Sequence, residues 1–306
     1  MNCSSCPRHC PADRLSQLGF CHASLTPEVA SVCNHKGEEP PICGSHGICN
    51  LFFAHCNLQC VYCQNYAISR AQVDPGLVFY HSLDEVVDRV AQVLGQSENI
   101  LGLVSPSHDA SCIPQLIDSL HQRGLFPTVV YNSNGYDDVS TLKSLAPYID
   151  IYLPDFKYMD SLLASDLSHA PDYPLRAQEA LLEMYSQKGS GLPTDDSGLA
   201  FRGIIVRHLV LPGQVDNSLQ CLDWLADNVS LNLHISLMAQ YFPSPQLLAS
   251  PLLHNPRYAA LSRTLDIDEY NQVVDHFYDL GFHNGWVQEL DSNRIFRPDF
   301  SRPDSF

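Results

Sequence analysis

The chain has 306 residues, enough for a large core, as one domain of about 250 residues with an appendage or as two domains. Its 17 Lys and Arg against 34 Asp and Glu leave a formal charge of −17, which repels phosphate backbones and anionic lipid and argues against nucleic-acid and membrane partners. Hydrophobic residues at 45% exclude a disordered chain, no apolar run approaches the ~18 residues of a membrane helix, and Met1-Asn2-Cys3-Ser4-Ser5-Cys6 lacks the features of a secretion signal, so the expected location is the cytoplasm.

Residues 1–47 are rich in Cys and Pro with little periodicity, and are expected to form an irregular metal-binding segment. From 48 to 245 short β-type runs alternate with helical runs, which predicts βα units on a parallel sheet. The first strand is expected at 49–53. Ser82 and Glu85 form a capping box ahead of a helix over 82–94, with Val86, Val87, Val90, Val93 and Leu94 on its apolar face. A second strand at 100–104 leads to a helix carrying Ile113, Leu116, Ile117 and Leu120, with Pro114 near its start and Gly124 as its stop. Strands at 128–131, 149–153, 203–210 and 234–238 follow, each of the first three leading to a helix, near 139–146, 174–187 and 218–228. The Gly-, Ser- and Asp-rich 189–200 reads as a loop. A C-terminal extension, 246–306, opens Pro-rich and carries a last helix at 267–280 stopped by Gly281. Six βα-type repeats are too few for a complete eight-stranded barrel.

Ten of the twelve cysteines fall in the first 63 residues. In a reducing compartment, dense Cys at short spacing reads as metal binding rather than as a disulfide framework. Cys56-Asn57-Leu58-Gln59-Cys60-Val61-Tyr62-Cys63 has the spacing C-x3-C-x2-C directly after the first strand. Three thiolates on one tight loop can hold three irons of a [4Fe–4S] cube, and a missing fourth Cys leaves one iron open to another ligand. Barrel chemistry sits at the C-terminal ends of strands, where this loop begins. Cys3, Cys6, Cys10 and Cys21 supply four soft ligands, enough for a closed zinc site or for a second iron–sulfur centre. Cys33, Cys43 and Cys49 either join that site or are free thiols, and Cys112 and Cys221 read as buried small hydrophobes.

The Cys56–Cys63 loop, with an aromatic before its last Cys, resembles the signature of the radical S-adenosylmethionine (SAM) superfamily. The run from Glu39-Pro40-Pro41-Ile42 through Asn50-Leu51-Phe52-Phe53 to Gln64-Asn65-Tyr66 is similar to radical SAM proteins related to pyruvate formate-lyase activating enzyme. So are Cys3-x2-Cys6-Pro7-Arg8-x-Cys10, Val104-Ser105-Pro106-Ser107-His108, Leu153-Pro154-Asp155-Phe156-Lys157-Tyr158 and Val206-Arg207-His208-Leu209-Val210-Leu211-Pro212-Gly213. The resemblance implies a partial (β/α)6 barrel in which SAM chelates the open iron through its amino and carboxylate groups. One electron then cleaves SAM to methionine and a 5′-deoxyadenosyl radical, which abstracts hydrogen from a substrate. An electron donor such as flavodoxin or ferredoxin is implied as a partner.

By the same resemblance, Tyr62 is expected against the adenine, and Lys157 and Arg207 against the SAM carboxylate, with Asp155 beside them. Strand alternation independently puts Asp155 and Lys157 on one face, where buried charges need partners. Arg207 stands in an apolar strand, where a guanidinium suits a bidentate carboxylate. Asn132, opening Asn132-Ser133-Asn134-Gly135, stands where activating enzymes have an Asp, and Ser-Pro-Ser-His replaces a Gly-Gly-Glu motif that binds the SAM amino group. Gln240 and Tyr241 fall at a further SAM-contacting position, and His208 is read as structural. The substrate is open between a protein glycine, as in activating enzymes, and a peptide or small molecule. A non-enzymatic iron–sulfur electron carrier is the competing class, and a zinc-stabilised scaffold is a poorer one.

Overall fold

The computed structural model describes residues 3–294 and 298–302. Eight strands form one open sheet in sequential order: β1 Val29–His35, β2 Ile48–Phe53, β3 Ile100–Val104, β4 Thr128–Ser133, β5 Ile151–Pro154, β6 Gly203–Leu209, β7 His234–Met238 and β8 Asn284–Val287. β1 runs antiparallel to β2, and every later pairing is parallel. β1 and β8 do not pair with each other, so this is a partial α/β barrel rather than a closed one. All six expected strands are present. The two extra ones come from either side of the 48–245 stretch, so the sheet reaches into both flanking segments.

The helices are α1 Pro40–Cys43, α2 Tyr66–Ser69, α3 Leu83–Leu94, α4 Ile113–Gln122, α5 Val139–Leu145, α6 Ser161–Ser168, α7 Tyr173–Lys188, α8 Val215–Asn228, α9 Pro245–Leu248 and α10 Ile267–Asp279. The capping box at Ser82 and Glu85 is formed, satisfying two orphan amides at the start of α3. Asp138 and Asp160 cap α5 and α6, and Gly124 and Gly281 follow α4 and α10 in the left-handed region. Among the described residues no helix is long and apolar enough to cross a membrane. The 246–306 extension is described except for 295–297 and 303–306, which lie outside the described residues.

The centre of the sheet is buried on both faces, which is why β3 reads as an unbroken apolar run rather than an alternating one. One face packs on the helices in a large core built around Leu51, Leu103, Tyr131, Tyr152, Val206 and Leu237. The other carries a small cluster, Ile48, Ile100, Val130, Ile151, Leu153 and Ile205, plugged by Ile42 of α1. Alternation brings Asn50, Gly102, Asn132 and Arg207 onto this second face. Gly102 is required there: a Cβ would stand 2.0 Å from Asn50 Oδ1.

Candidate functional site at the C-terminal ends of the strands

The second face ends in a cavity of about 150 Å³. Phe52, Val104, Asn132, Arg207 and Met238 close its wall, each at or near the C-terminal end of its strand. Cys63, Gln64 and Asn65 join from the loop after β2, and Glu38 and Glu39 from the β1–β2 connection. The cavity thus opens where parallel α/β folds place their chemistry.

The loop bearing Cys56, Cys60 and Cys63 leaves β2 through strained backbone. His55 and Gln59 have φ of 67° and 57°, values uncommon for residues with a Cβ. Each of the three sulfurs accepts a hydrogen bond. Cys56 Sγ receives Asn134 Nδ2 and the Leu58 amide, each at 3.4 Å, Cys60 Sγ receives the Ser168 hydroxyl at 3.0 Å, and Cys63 Sγ receives the Ser69 hydroxyl at 3.3 Å. Burial pushes the Cys60 thiol up to about 12, Lys157 opposes this, and the nearby Cys63 and Cys56 add to it. Burial also raises Cys63, against the Ser69 hydrogen bond. Among the described residues no group of three or more His, Cys, Asp or Glu side chains is arranged around a single ion. The thiols of Cys63 and Cys56 act on that of Cys60, so the three lie together, and in a multi-iron cluster each thiolate would bind its own iron.

Lys157, Asp155, Arg207 and Asn132 come together in one network. Lys157 Nζ donates to Asp155 Oδ2 at 2.6 Å, and Arg207 Nε donates to Asp155 Oδ1 at 3.2 Å. Arg207 Nη2 donates to Asn132 Oδ1 at 2.9 Å, and Nη1 to Glu38 Oε2 at 3.2 Å. Burial alone would raise Asp155 and lower Lys157, but their mutual attraction, with Arg207 assisting Asp155, moves both the other way. Glu38 is the member that sequence reasoning missed. Its Oε1 accepts from Asn50 Nδ2 at 2.8 Å and faces His35 Nδ1 at 3.4 Å. Burial opposes its charge, yet His35 and Arg207 hold it down to about 2.

Tyr62 lies outside this network. It is buried, its hydroxyl 2.5 Å from that of Tyr158, which is 2.7 Å from the Ser168 hydroxyl. It therefore ends a hydroxyl chain leading to Cys60 and is not among the residues of the cavity wall. His208 is fully buried between the Phe156 carbonyl at 2.7 Å and the Ser218 hydroxyl at 2.9 Å, matching a structural role. Ser105 adopts a left-handed φ of 57°, and His108 Nε2 donates to the Ala54 carbonyl at 2.7 Å, tying the loop after β3 to the Cys loop. Gln240 lines the cavity, while Tyr241 is buried and its hydroxyl donates to the Leu261 carbonyl at 2.6 Å.

The Cys-rich segment packs onto the Cys56–Cys63 loop. Arg8 stacks on Phe20 at 3.6 Å, and its Nε donates to the Asn57 carbonyl at 2.6 Å. Gln59 Nε2 donates to the Phe20 carbonyl at 2.8 Å, and a buried ion pair, Arg14–Asp109 at 2.8 Å, ties the segment to the loop after β3. Cys3, Cys6 and Cys21 lie near enough that the thiols of Cys21 and Cys3 add to the burial that pushes Cys6 up to about 12. Cys10 Sγ accepts from the Phe20 amide at 3.4 Å. Cys33 and Cys49 lie buried inside β1 and β2, Cys43 and Cys221 are buried as well, and Cys112, expected to be buried, is partly exposed.

No family model matches this chain. An uncharacterised protein of Methanocaldococcus jannaschii is 28% identical over 290 residues, covering 91% of this chain and 77% of that protein. A domain of pyruvate-formate lyase-activating enzyme from Bacteroides vulgatus is similar at a TM-score of 0.38 and 14% identity, over 59% of this chain and 93% of that one. SuiB of Streptococcus suis bound to S-adenosylmethionine matches at a TM-score of 0.48 and 12% identity over 79% of this chain, and its complex with the precursor peptide SuiA at 0.47. The chain spans about half the length of the SuiB chain that it matches.

Proposed function

We propose that the chain is a radical SAM enzyme. The observation that carries this reading is one juxtaposition: the last of three hydrogen-bonded thiols on the β2 loop opens onto a cavity whose wall also holds Asn132 and Arg207. Cys56, Cys60 and Cys63 would hold a [4Fe–4S] cluster, their sulfurs already oriented by Asn134, Ser168 and Ser69. With that cluster and SAM bound, the chemistry supplied is one-electron cleavage of SAM to a 5′-deoxyadenosyl radical that takes hydrogen from a substrate. Arg207, fixed by Asp155, Glu38 and Asn132, presents two further N–H donors for a carboxylate. Lys157 lowers the cost of charge on the buried Cys60. Tyr62 would pack against the adenine, its hydroxyl anchored through Tyr158 and Ser168 beside the sulfur of Cys60.

The finer reading is an activating-enzyme-like oxidoreductase of the cytoplasm, reduced by a flavodoxin or ferredoxin and acting on a protein glycine or on a peptide. SuiB, whose structures include SAM and a precursor peptide, keeps the peptide alternative in view. Cys3, Cys6, Cys10 and Cys21 would carry a second centre, zinc or iron–sulfur, in a 1–47 segment that serves the 48–245 barrel, with 246–306 as its extension. The test is anaerobic reconstitution. The protein should take up about four irons that are lost from a Cys56/Cys60/Cys63→Ala variant. With dithionite and SAM it should release 5′-deoxyadenosine. A full cluster that yields no 5′-deoxyadenosine would move the assignment to an electron carrier.

A further inference from the structure

The network beside the cavity is balanced in charge without Glu39. Lys157 and Arg207 are its cations, Asp155 and Glu38 its anions, and all four of those carboxylate oxygens face a donor. Glu39 stands outside this pairing. It is 8% exposed, it lines the same cavity, and its Oε2 has no hydrogen-bond partner. Leaving such an oxygen buried and unmatched is costly, and more so when it is charged. Burial pushes Glu39 above the usual carboxylate range, Arg207 pulls it back, and Glu38 adds to the push. The Ser236 hydroxyl and a backbone amide reach its carboxylate and pull the same way as Arg207, but Oε2 stays without a partner. Gln64 Nε2 donates to the Gln240 carbonyl at 2.8 Å, Gln288 Nε2 donates to Gln240 Oε1 at 3.1 Å, and Arg207 donates to Asp155, Glu38 and Asn132.

We propose that Glu39 receives the ammonium group of a ligand seated in the cavity beside Cys63. An ammonium carries the missing charge and donates hydrogen bonds from a compact head, which a cavity of about 150 Å³ accommodates more readily than a planar guanidinium. A bare metal ion is a poor occupant, since no group of three or more ligating side chains surrounds one position among the described residues. Arg207 lines the same wall and keeps two N–H donors beyond those given to Asp155, Glu38 and Asn132, so the cavity as a whole is matched to an α-amino acid or a primary amine with a nearby carboxylate. Two sources carry that chemistry: the amino group of SAM, an assignment that rests on the radical SAM reading, and the amine of a second substrate, which does not.

Glu39→Gln keeps the shape and removes the charge. Calorimetric titration of the anaerobically purified protein with L-methionine, its decarboxylated amine and its deaminated acid tests the ammonium directly. The wild type should bind L-methionine at least about tenfold more tightly than the deaminated acid, which differs only in lacking the ammonium, a difference of about 1.4 kcal/mol. E39Q should lose that preference while its affinity for the acid is unchanged. Repeating the titration with SAM on iron-loaded protein separates the sources. A parallel loss of SAM affinity in E39Q assigns Glu39 to SAM, whereas unchanged SAM affinity with weakened amine binding assigns it to the second substrate. If iron-loaded wild type binds no SAM but the amine preference depends on Glu39, the radical SAM reading falls and this one stands. Equal affinity of the wild type for L-methionine and the deaminated acid, or the same preference in wild type and E39Q, overturns the proposal, and the wild-type comparison needs no variant to fold.

Discussion

Arg207→Ala removes the guanidinium that joins Glu38, Asp155 and Asn132, so its cost can be worked from the partners it strands. Both ion pairs are largely shielded, with side-chain exposures of 17% for Arg207, 9% for Glu38 and 16% for Asp155. Removing one member of a buried pair costs about 3–5 kcal/mol, because the remaining charge is left in a poor dielectric. At about 2 °C per kcal/mol for a chain of this size, the midpoint of thermal unfolding should drop by about 6–10 °C. The loss also carries a sign in pH. Glu38 and Asp155 are held below their ordinary ranges in the folded chain, so the stability they supply is present above the unfolded carboxylate value and is lost as pH falls. The gap between wild type and R207A should therefore be widest near neutrality and narrow below the ordinary glutamate value of 4.5. Urea unfolding at pH 7 and at several points below 4.5 measures both. A loss under about 1 kcal/mol, or one independent of pH, would refute the claim that Arg207 is held by buried, charged partners.

Gly102→Ala should disturb the same network from one layer below. Its Cβ would meet Asn50 Oδ1 at 2.0 Å, and Asn50 is pinned to Glu38, so the variant should lose about 1–3 kcal/mol and weaken SAM binding while keeping its iron. Unfolding curves and iron analysis check both halves. Substituting Cys3, Cys6, Cys10 and Cys21 together by Ser should remove any metal that survives in the Cys56/Cys60/Cys63→Ala variant. Metal analysis showing neither zinc nor iron in the latter would reject a second centre.

The barrel was legible because its strands are short apolar runs separated by helices with clear caps: 234–238 is found at its expected bounds, and α3 begins at its capping box. β1 was hidden because Val29–His35 is buried on both faces and shows no alternation, in a stretch whose Cys and Pro content suggested irregular chain. β8 was hidden because Asn284–Val287 is four residues long and half-buried. α6 had a readable start in Asp160, followed by Leu162 and Leu163, but the run is only eight residues. At the site, Asp155, Lys157, Arg207 and Asn132 could be read from strand position and resemblance. Glu38 could not, since a pair of glutamates in a connector reads as a solvated turn, and only the insertion of Ile42 into the small core carries it inward. Tyr62 was found, but which way its ring turns depends on Tyr158 and Ser168, about 100 residues further on.

The clasp formed by Arg8 has a consequence for the order in which the molecule is completed. Its Nε takes the carbonyl of Asn57, 49 residues on, and its guanidinium also reaches the carbonyl of Ser168, 160 residues on. A ribosome adding about 5–20 residues per second needs about 8–30 seconds to cover that second span. Until then the clasp is incomplete, and Cys60, whose sulfur takes the hydroxyl of that same Ser168, is also without its donor. If these thiols hold the cluster proposed above, the nascent chain has an interval, before Ser168 is made, in which Cys60 lacks its donor and the Arg8 clasp over the loop is incomplete.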